Sequence, residues 1–387
     1  MYLLSGFVPR DANTWAFGTW SGTRFADNSA AVFRHLDDAN PDGIRTVWIT
    51  RRREIRDDLR NQGMRAYTRW SAGGIWWALR SGVYIYDSMP YDINFWLSRR
   101  ARLALLMHGT GMKKIERAID VKEHRLYKLF HGRPHEKLVW RLALPWHLSV
   151  PDLVAVCSPD HARQAVTFFG IEADDARITG LPRHDRLAGS AEVTRSDIPT
   201  VGADVPAGRP VFLYLPTFRE GVARQSFDWS TLEAAAVAAG VTIAVKLHVV
   251  DAERGVLGLS DIAESGHLRL VEPTVDPIDL YARADGLVTD FSSVAYDLLL
   301  LDRPVIHYVP DLDDFLEQRP LIAPFEEMAV GPVCQDLASL TAALISAADP
   351  ADATTIERRR EIRERSFTYP PGGASERVVE EIQRLTR

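Results

Sequence analysis

Residues 285–308 read DGLVTDFSSVAYDLLLLDRPVIHY, and the fold is decided there. Residues 287–289 are a short apolar run, the pattern of a buried strand. Asp290-Phe291-Ser292-Ser293 follows, rich in residues that favour turns and helix N-caps. Residues 294–301 predict one apolar helix, stopped by Asp302-Arg303-Pro304, and 305–308 predict a second strand. The unit is strand–helix–strand, the repeating piece of a parallel α/β sheet. In such sheets ligands sit beyond the carboxyl ends of the strands, at helix starts whose free N–H groups and partial positive charge suit a phosphate. Ser292 and Ser293 add hydroxyl donors at that point. A plain N-cap with no ligand explains the same residues.

The pattern extends in both directions. In the second half, strands are expected at 210–215, 241–247 and 268–271, with helices at 229–239 and 277–284 and closing helices at 337–348 and 377–385. In the first half, strands are expected at 14–17, 45–50, 83–86, 102–107, 153–157 and 177–180. The helices between them are 30–36 (capped by Asn28 or Ser29), 51–62, 73–80 and 159–169. Alternating β and α elements imply α/β architecture with doubly wound parallel sheets. Residues 189–209 shift to Ser, Thr, Asp, Pro and Gly, the composition of a linker. The expected division is therefore 1–200 and 201–387, with the boundary at 195–208 and the cleft between the halves as the default site.

Composition excludes several classes. At 387 residues, with 46% hydrophobic and 25% charged, the chain reads as a soluble globular protein of two domains. No apolar run reaches the roughly 18 residues of a transmembrane helix, and 1–9 is too short for a signal peptide. Two cysteines, Cys157 and Cys334, make neither a metal spacing nor a disulfide framework, so a cytoplasmic, reducing setting is expected. Residues 1–199 carry 29 Lys and Arg against 22 Asp and Glu, while the remainder is strongly acidic. Within the basic half, 113–141 holds nine basic and four acidic residues with interleaved aromatics. That stretch reads either as amphipathic helices lying on an anionic bilayer or as a solvated hairpin packed on its own domain. No nucleic-acid motif is present.

Chemistry-bearing residues gather at strand ends. The expected strand 102–107 runs into His108-Gly109-Thr110-Gly111, and 241–247 delivers Lys246 and His248. Glycine lets backbone and ligand approach closely, and an imidazole titrates near working pH. Lys246 shares a face with His248 only if its strand stays regular to the end.

Six stretches, in order, resemble the CDP-glycerol glycerophosphotransferase family, the enzymes of teichoic acid and related capsule synthesis. They are FGTWSGTRFADN (17–28), HGTGMKK (108–114), GLPRHDRL (180–187), LPTFR (215–219), KLH (246–248) and VTDFSSVAYDLLLLDRPVIHY (288–308). The family usually has proline where Gly111 stands. The resemblance implies a GT-B-like fold, two Rossmann-like domains facing across a cleft, with the nucleotide donor on the second and the acceptor on the first. It implies peripheral attachment to the inner face of the membrane. It also implies transfer of a polyol phosphate from CDP-glycerol, or a similar CDP-alditol, to a hydroxyl of a lipid-linked or polymeric acceptor, with release of CMP.

On that reading His108 is the candidate base, and His248 bonds the donor phosphate or assists the leaving CMP. Thr217 and Arg219 hold the diphosphate, Arg219 by bidentate contact. Ser292 and Ser293 cradle it, and Gly109 and Thr110 line the acceptor side. Asp290 either orients His248 or binds glycerol hydroxyls. Arg183 is either a hinge-side salt bridge or a donor contact. No residue cluster demands a metal, and Mg²⁺ stimulation of the assay stays open. Two other readings compete: a nucleotide-sugar glycosyltransferase or epimerase of the same fold, and a non-catalytic binder of anionic polymer, which would need neither histidine.

Overall fold

The computed structural model describes residues 1–40, 43–188, 205–206, 208–217, 229–247, 266–272, 275–348 and 353–387. The chain divides into two units. The first comprises Met1–Thr110, Ile115–Ala188 and Ser366–Arg387, and the second comprises Gly111–Lys114 and Gly189–Arg365. The expected cut into 1–200 and 201–387 is corrected by two crossings, 111–114 into the second unit and 366–387 back into the first.

The first unit is built on β1 (Asp11–Gly18), β2 (Arg45–Thr50), β3 (Ala66–Thr68), β4 (Ser81–Tyr86), β5 (Arg102–Leu105), β6 (Leu153–Val156) and β7 (Ala176–Ile178). The second has β8 (Val211–Leu215), β9 (Thr242–Val245), β10 (Leu268–Leu270), β11 (Gly286–Thr289), β12 (Val305–Tyr308) and β13 (Val333–Cys334). The sheet orders are β3-β2-β1-β4-β5-β6-β7 and β10-β9-β8-β11-β12-β13. Each therefore places its own strands third, second, first, fourth, fifth, sixth, the Rossmann-like order. Pairing in both sheets is parallel. The order reverses between β1 and β4 in one sheet and between β8 and β11 in the other.

Sheets covered on both faces need strands that are apolar throughout. All of β4, β6, β8, β9, β11 and β12 is buried. The period of two is visible in how side chains divide. Trp15, Phe17, Val83 and Ile85 enter one core, whereas Ala16, Tyr84 and Tyr86 enter the core on the opposite face.

Several local expectations shift. The helix after β1 is Asp27–Asp38, with Ala26 as its N-cap, so Asn28 and Ser29 lie buried in the first turn and cap nothing. β5 ends at Leu105, before Met107 turns to φ 60°. The helix after β11 is Val294–Leu299, shorter than the apolar run. The edge strands β3 and β13, three and two residues long, carry too little pattern to read.

Two buried histidines make stability sensitive to acid. His307 has Nδ1 2.7 Å from the Asp290 carbonyl, and its Nε2 accepts from Val330 N at 3.2 Å. Burial lowers His307 and His161 to about 4. The unfolded chain takes up these protons first as pH falls from 6.5 toward 4, so stability present above 6.5 is lost through that window. Each histidine contributes on the order of 3 kcal/mol to the change. Asp92, raised to about 6 by burial, and Asp87, raised well above the carboxylate range by burial, oppose it in the first unit, because their folded forms bind the proton first. His307→Gln can keep one donor and one acceptor without titrating. Thermal unfolding at pH 7 and pH 4.5 should therefore show a smaller acid-induced drop for that variant. Equal drops would mean that His307 does not set the acid sensitivity.

Candidate active site

In the second unit the site grows from the ends of β8 and β11, where the strand order reverses. Asp290 follows β11 directly and is buried. Its carboxylate accepts from Thr217 N at 2.9 Å to each oxygen, and from Thr217 Oγ1 at 2.6 Å. Thr217 lies two residues past β8, so one carboxylate ties the two strand ends together. Thr289 Oγ1 adds a bond to Leu215 O at 2.6 Å. Phe291 stacks on Phe315 at 3.8 Å, and Ser292 and Ser293 are half-buried at the start of the six-residue helix. Lys246 is buried one residue past β9, its N–H donating to Tyr214 O at 3.0 Å.

In the first unit three distant stretches converge on one loop. Arg183 Nη1 pairs with Asp27 Oδ1 at 3.0 Å and donates to His108 O at 2.7 Å. Asn28 Nδ2 donates to Met107 O at 2.9 Å, and Asn28 Oδ1 accepts from Arg183 N at 2.9 Å. The backbone is strained on both sides of this contact, at the loop and at the helix start that holds it. Met107 and Asp27 both adopt left-handed φ, 60° and 65°, at about 1–3 kcal/mol each for non-glycine residues. His108 is exposed at its tip, whereas Gly109 and Thr110 are buried, Thr110 Oγ1 lying 3.8 Å from Cys157 Sγ. Arg183 thus forms a salt bridge, and that bridge lies within the first unit.

These arrangements can be set beside known proteins. The model of the family described as CDP-glycerol:poly(glycerophosphate) glycerophosphotransferase matches residues 1–384. The chain belongs to this family. Its similarity to the teichoic acid glycerol-phosphate transferase of Staphylococcus aureus is 24% identity over 380 residues, covering 95% of this chain and 92% of that one. A teichoic acid ribitol-phosphate primase of Bacillus spizizenii is 40% identical over 104 residues, 27% of this chain and 26% of the relative. Among solved structures, a variant of the wall teichoic acid polymerase TagF soaked with CDPG superposes with a TM-score of 0.78. That likeness, at 19% identity and covering 97% of this chain and 90% of the other, carries the GT-B-like fold. A glycosyltransferase or epimerase reading is not favoured.

For this family member the remaining expected residues fall out as follows. Arg219 and His248 lie outside the described residues, as does most of the expected linker. Among the described residues there is no group of three or more metal-binding side chains. The basic stretch forms two helices, Arg125–Phe130 and Pro134–Ala143, whose inner faces pack around Leu126, Leu129 and Leu144. Leu138, Val139 and Leu142 stay exposed.

The sequence reading missed Asp87 and Asp92. Asp87 follows the fourth strand of its sheet as Asp290 follows the fourth strand of the other, and its Oδ1 accepts from Ser29 N at 3.0 Å. Burial, with the nearby Asp27 charge, pushes Asp87 well above the usual carboxylate range. Asp92 accepts from Ser21 N at 2.7 Å and Ser88 N at 2.9 Å. An acidic residue directly after an apolar run was the available signal: YIYD at 84–87 parallels LVTD at 287–290.

Proposed function

We propose that this family member transfers glycerol phosphate, or a related polyol phosphate, from CDP-glycerol to a hydroxyl of a lipid-linked or polymeric acceptor in teichoic acid or capsule-type synthesis. The acceptor oxygen attacks the phosphorus that bears the polyol, and the bond from that phosphorus to the bridging oxygen breaks. CMP leaves, and the hydroxyl proton passes to a base, the role given to His108. The observation that carries this reading is the Thr217–Asp290 clamp at the reversal point of the second sheet, where Rossmann-like sheets bind nucleotides. Ser292 and Ser293 stand beside that clamp as diphosphate contacts, with Arg219, Lys246 and His248 as further candidates. Neutralisation of phosphate charge is assigned to protein cations, with Mg²⁺ as an added stimulus to be tested. A CMP-release assay with CDP-glycerol and CDP-ribitol, run beside UDP and GDP sugars, tests the reading. Turnover of the sugar nucleotides alone would sink it.

Membrane contact belongs to the same proposal. No helix among the described residues is long and apolar enough to cross a bilayer. Leu138, Val139 and Leu142, exposed on a helix among basic residues, suit a peripheral position on an anionic surface. Binding to anionic vesicles should fall as salt rises, each basic residue near the surface contributing on the order of 1 kcal/mol. Replacing the exposed Lys122, Arg125, Arg133 and Arg141 with Gln should release the protein. Equal sedimentation of variant and wild type with anionic vesicles would rule this surface out.

A further inference from the structure

We propose that Lys113 is a donor-binding cation of the second unit, where it meets the diphosphate of the nucleotide. By sequence Lys113 belongs to the basic stretch of the first half, and there it would serve the membrane. The structure places it elsewhere. Gly111–Lys114 folds with the second unit. Lys113 bridges antiparallel to Leu321, flanked by Ile322 N donating to Met112 O at 2.9 Å and Lys114 N donating to Pro320 O at 3.1 Å. The backbone beneath the side chain is thereby fixed.

The side chain reaches the clamp described above. Lys113 Nζ lies 3.5 Å from Thr217 Oγ1, the hydroxyl that donates to Asp290. It also lies 5.5 Å from the centre of the Phe315 ring, which stacks on Phe291. An ammonium is a compact charge with three N–H donors on a flexible stem. The ammonium is thereby placed beside the clamp hydroxyl, where an anion bound at the clamp would meet it. The position is the carboxyl edge of a parallel sheet at its reversal point, where nucleotide phosphates bind. A diphosphate is the anion of matching chemistry. The inference rests on reading the second unit as the donor site.

Calorimetric titration of the full-length protein with CDP-glycerol, and with CMP, tests it. Lys113→Gln should weaken CDP-glycerol binding at least 10-fold and flatten its salt dependence, while Lys113→Arg should keep most of the affinity. In steady state the donor KM should rise and the acceptor KM should hold. A purely structural lysine would change melting temperature without changing the salt slope. If the wild type binds CDP-glycerol and the folded Lys113→Gln binds it equally well with the same slope, the role of Lys113 is overturned and the donor site stands. If the wild type binds neither CDP-glycerol nor CMP, the donor reading falls and takes this inference with it.

Discussion

Replacing His108 with alanine is expected to lower turnover by about 10²–10⁴-fold, the usual range for losing a positioned acid or base, with the fold intact. The fold should survive because the His108 side chain is exposed and the loop is held through backbone atoms, the carbonyls of Met107 and His108. Donor affinity should be nearly unchanged, since the substitution removes a proton acceptor and no phosphate contact. Rapid-quench CMP release, paired with calorimetry for CDP-glycerol, separates the two effects. Near-normal turnover from a folded His108→Ala protein would remove the residue from the mechanism. Arg183→Ala provides a second reading. It would free the loop from Asp27 and the His108 carbonyl, so turnover should drop even though the imidazole is still present.

The second large effect is expected at Asp290. Its carboxylate takes both the N–H and the hydroxyl of Thr217, and hydrogen bonds to a charged group are worth about 1.5–3 kcal/mol each. Asp290→Ala should release the end of β8 and weaken CDP-glycerol binding by about 10–100-fold, about one of those bonds' worth. Thr217→Val keeps the N–H bond and should cost less. The two changes should be non-additive, because the residues act as one contact. A Ser292→Ala, Ser293→Ala double variant, which leaves the clamp whole, should weaken donor binding more than acceptor binding. Donor affinity unchanged by Asp290→Ala would show that the clamp has no part in the site.

The central strands were legible because sheets buried on both faces require largely apolar runs, and 305–308 stands at the expected bounds. Residues that end such runs were legible as site candidates for the same reason. Thus Asp290 and Lys246 lie just past a strand, and Asp87, overlooked, carries the same signature. Although β7 and β10 were expected at 177–180 and 268–271, the equally short edge strands β3 and β13 were not legible. Nor was the helix Ala353–Ser366, whose charged sequence presents no apolar stripe. The location of Lys113 was hidden for a deeper reason. Its segment is fixed by backbone bonds to 320–322, about two hundred residues on, and backbone pairing leaves no mark on side-chain identity. Its charge was therefore counted with its neighbours in sequence. The vesicle test above leaves Lys113 and Lys114 untouched on that account.

The helix Ala374–Thr386 has a consequence for anyone who wishes to cut this protein. Asp185 accepts from Ala374 N and Ser375 N at 2.7 and 2.8 Å, Arg377 Nε bonds Thr179 O, and Val378, Val379 and Ile382 are buried in the first unit's core. The second unit is thus an insert, spliced into a host whose sequence resumes after it. A stop codon at Ser366 would spare the insert and wound the host, stripping about 1.5–3 kcal/mol for each buried aliphatic side chain removed. To study the second unit in isolation, one excises from the middle of the gene, leaves its last codons behind, and gives up the Gly111–Lys114 segment that packs on it.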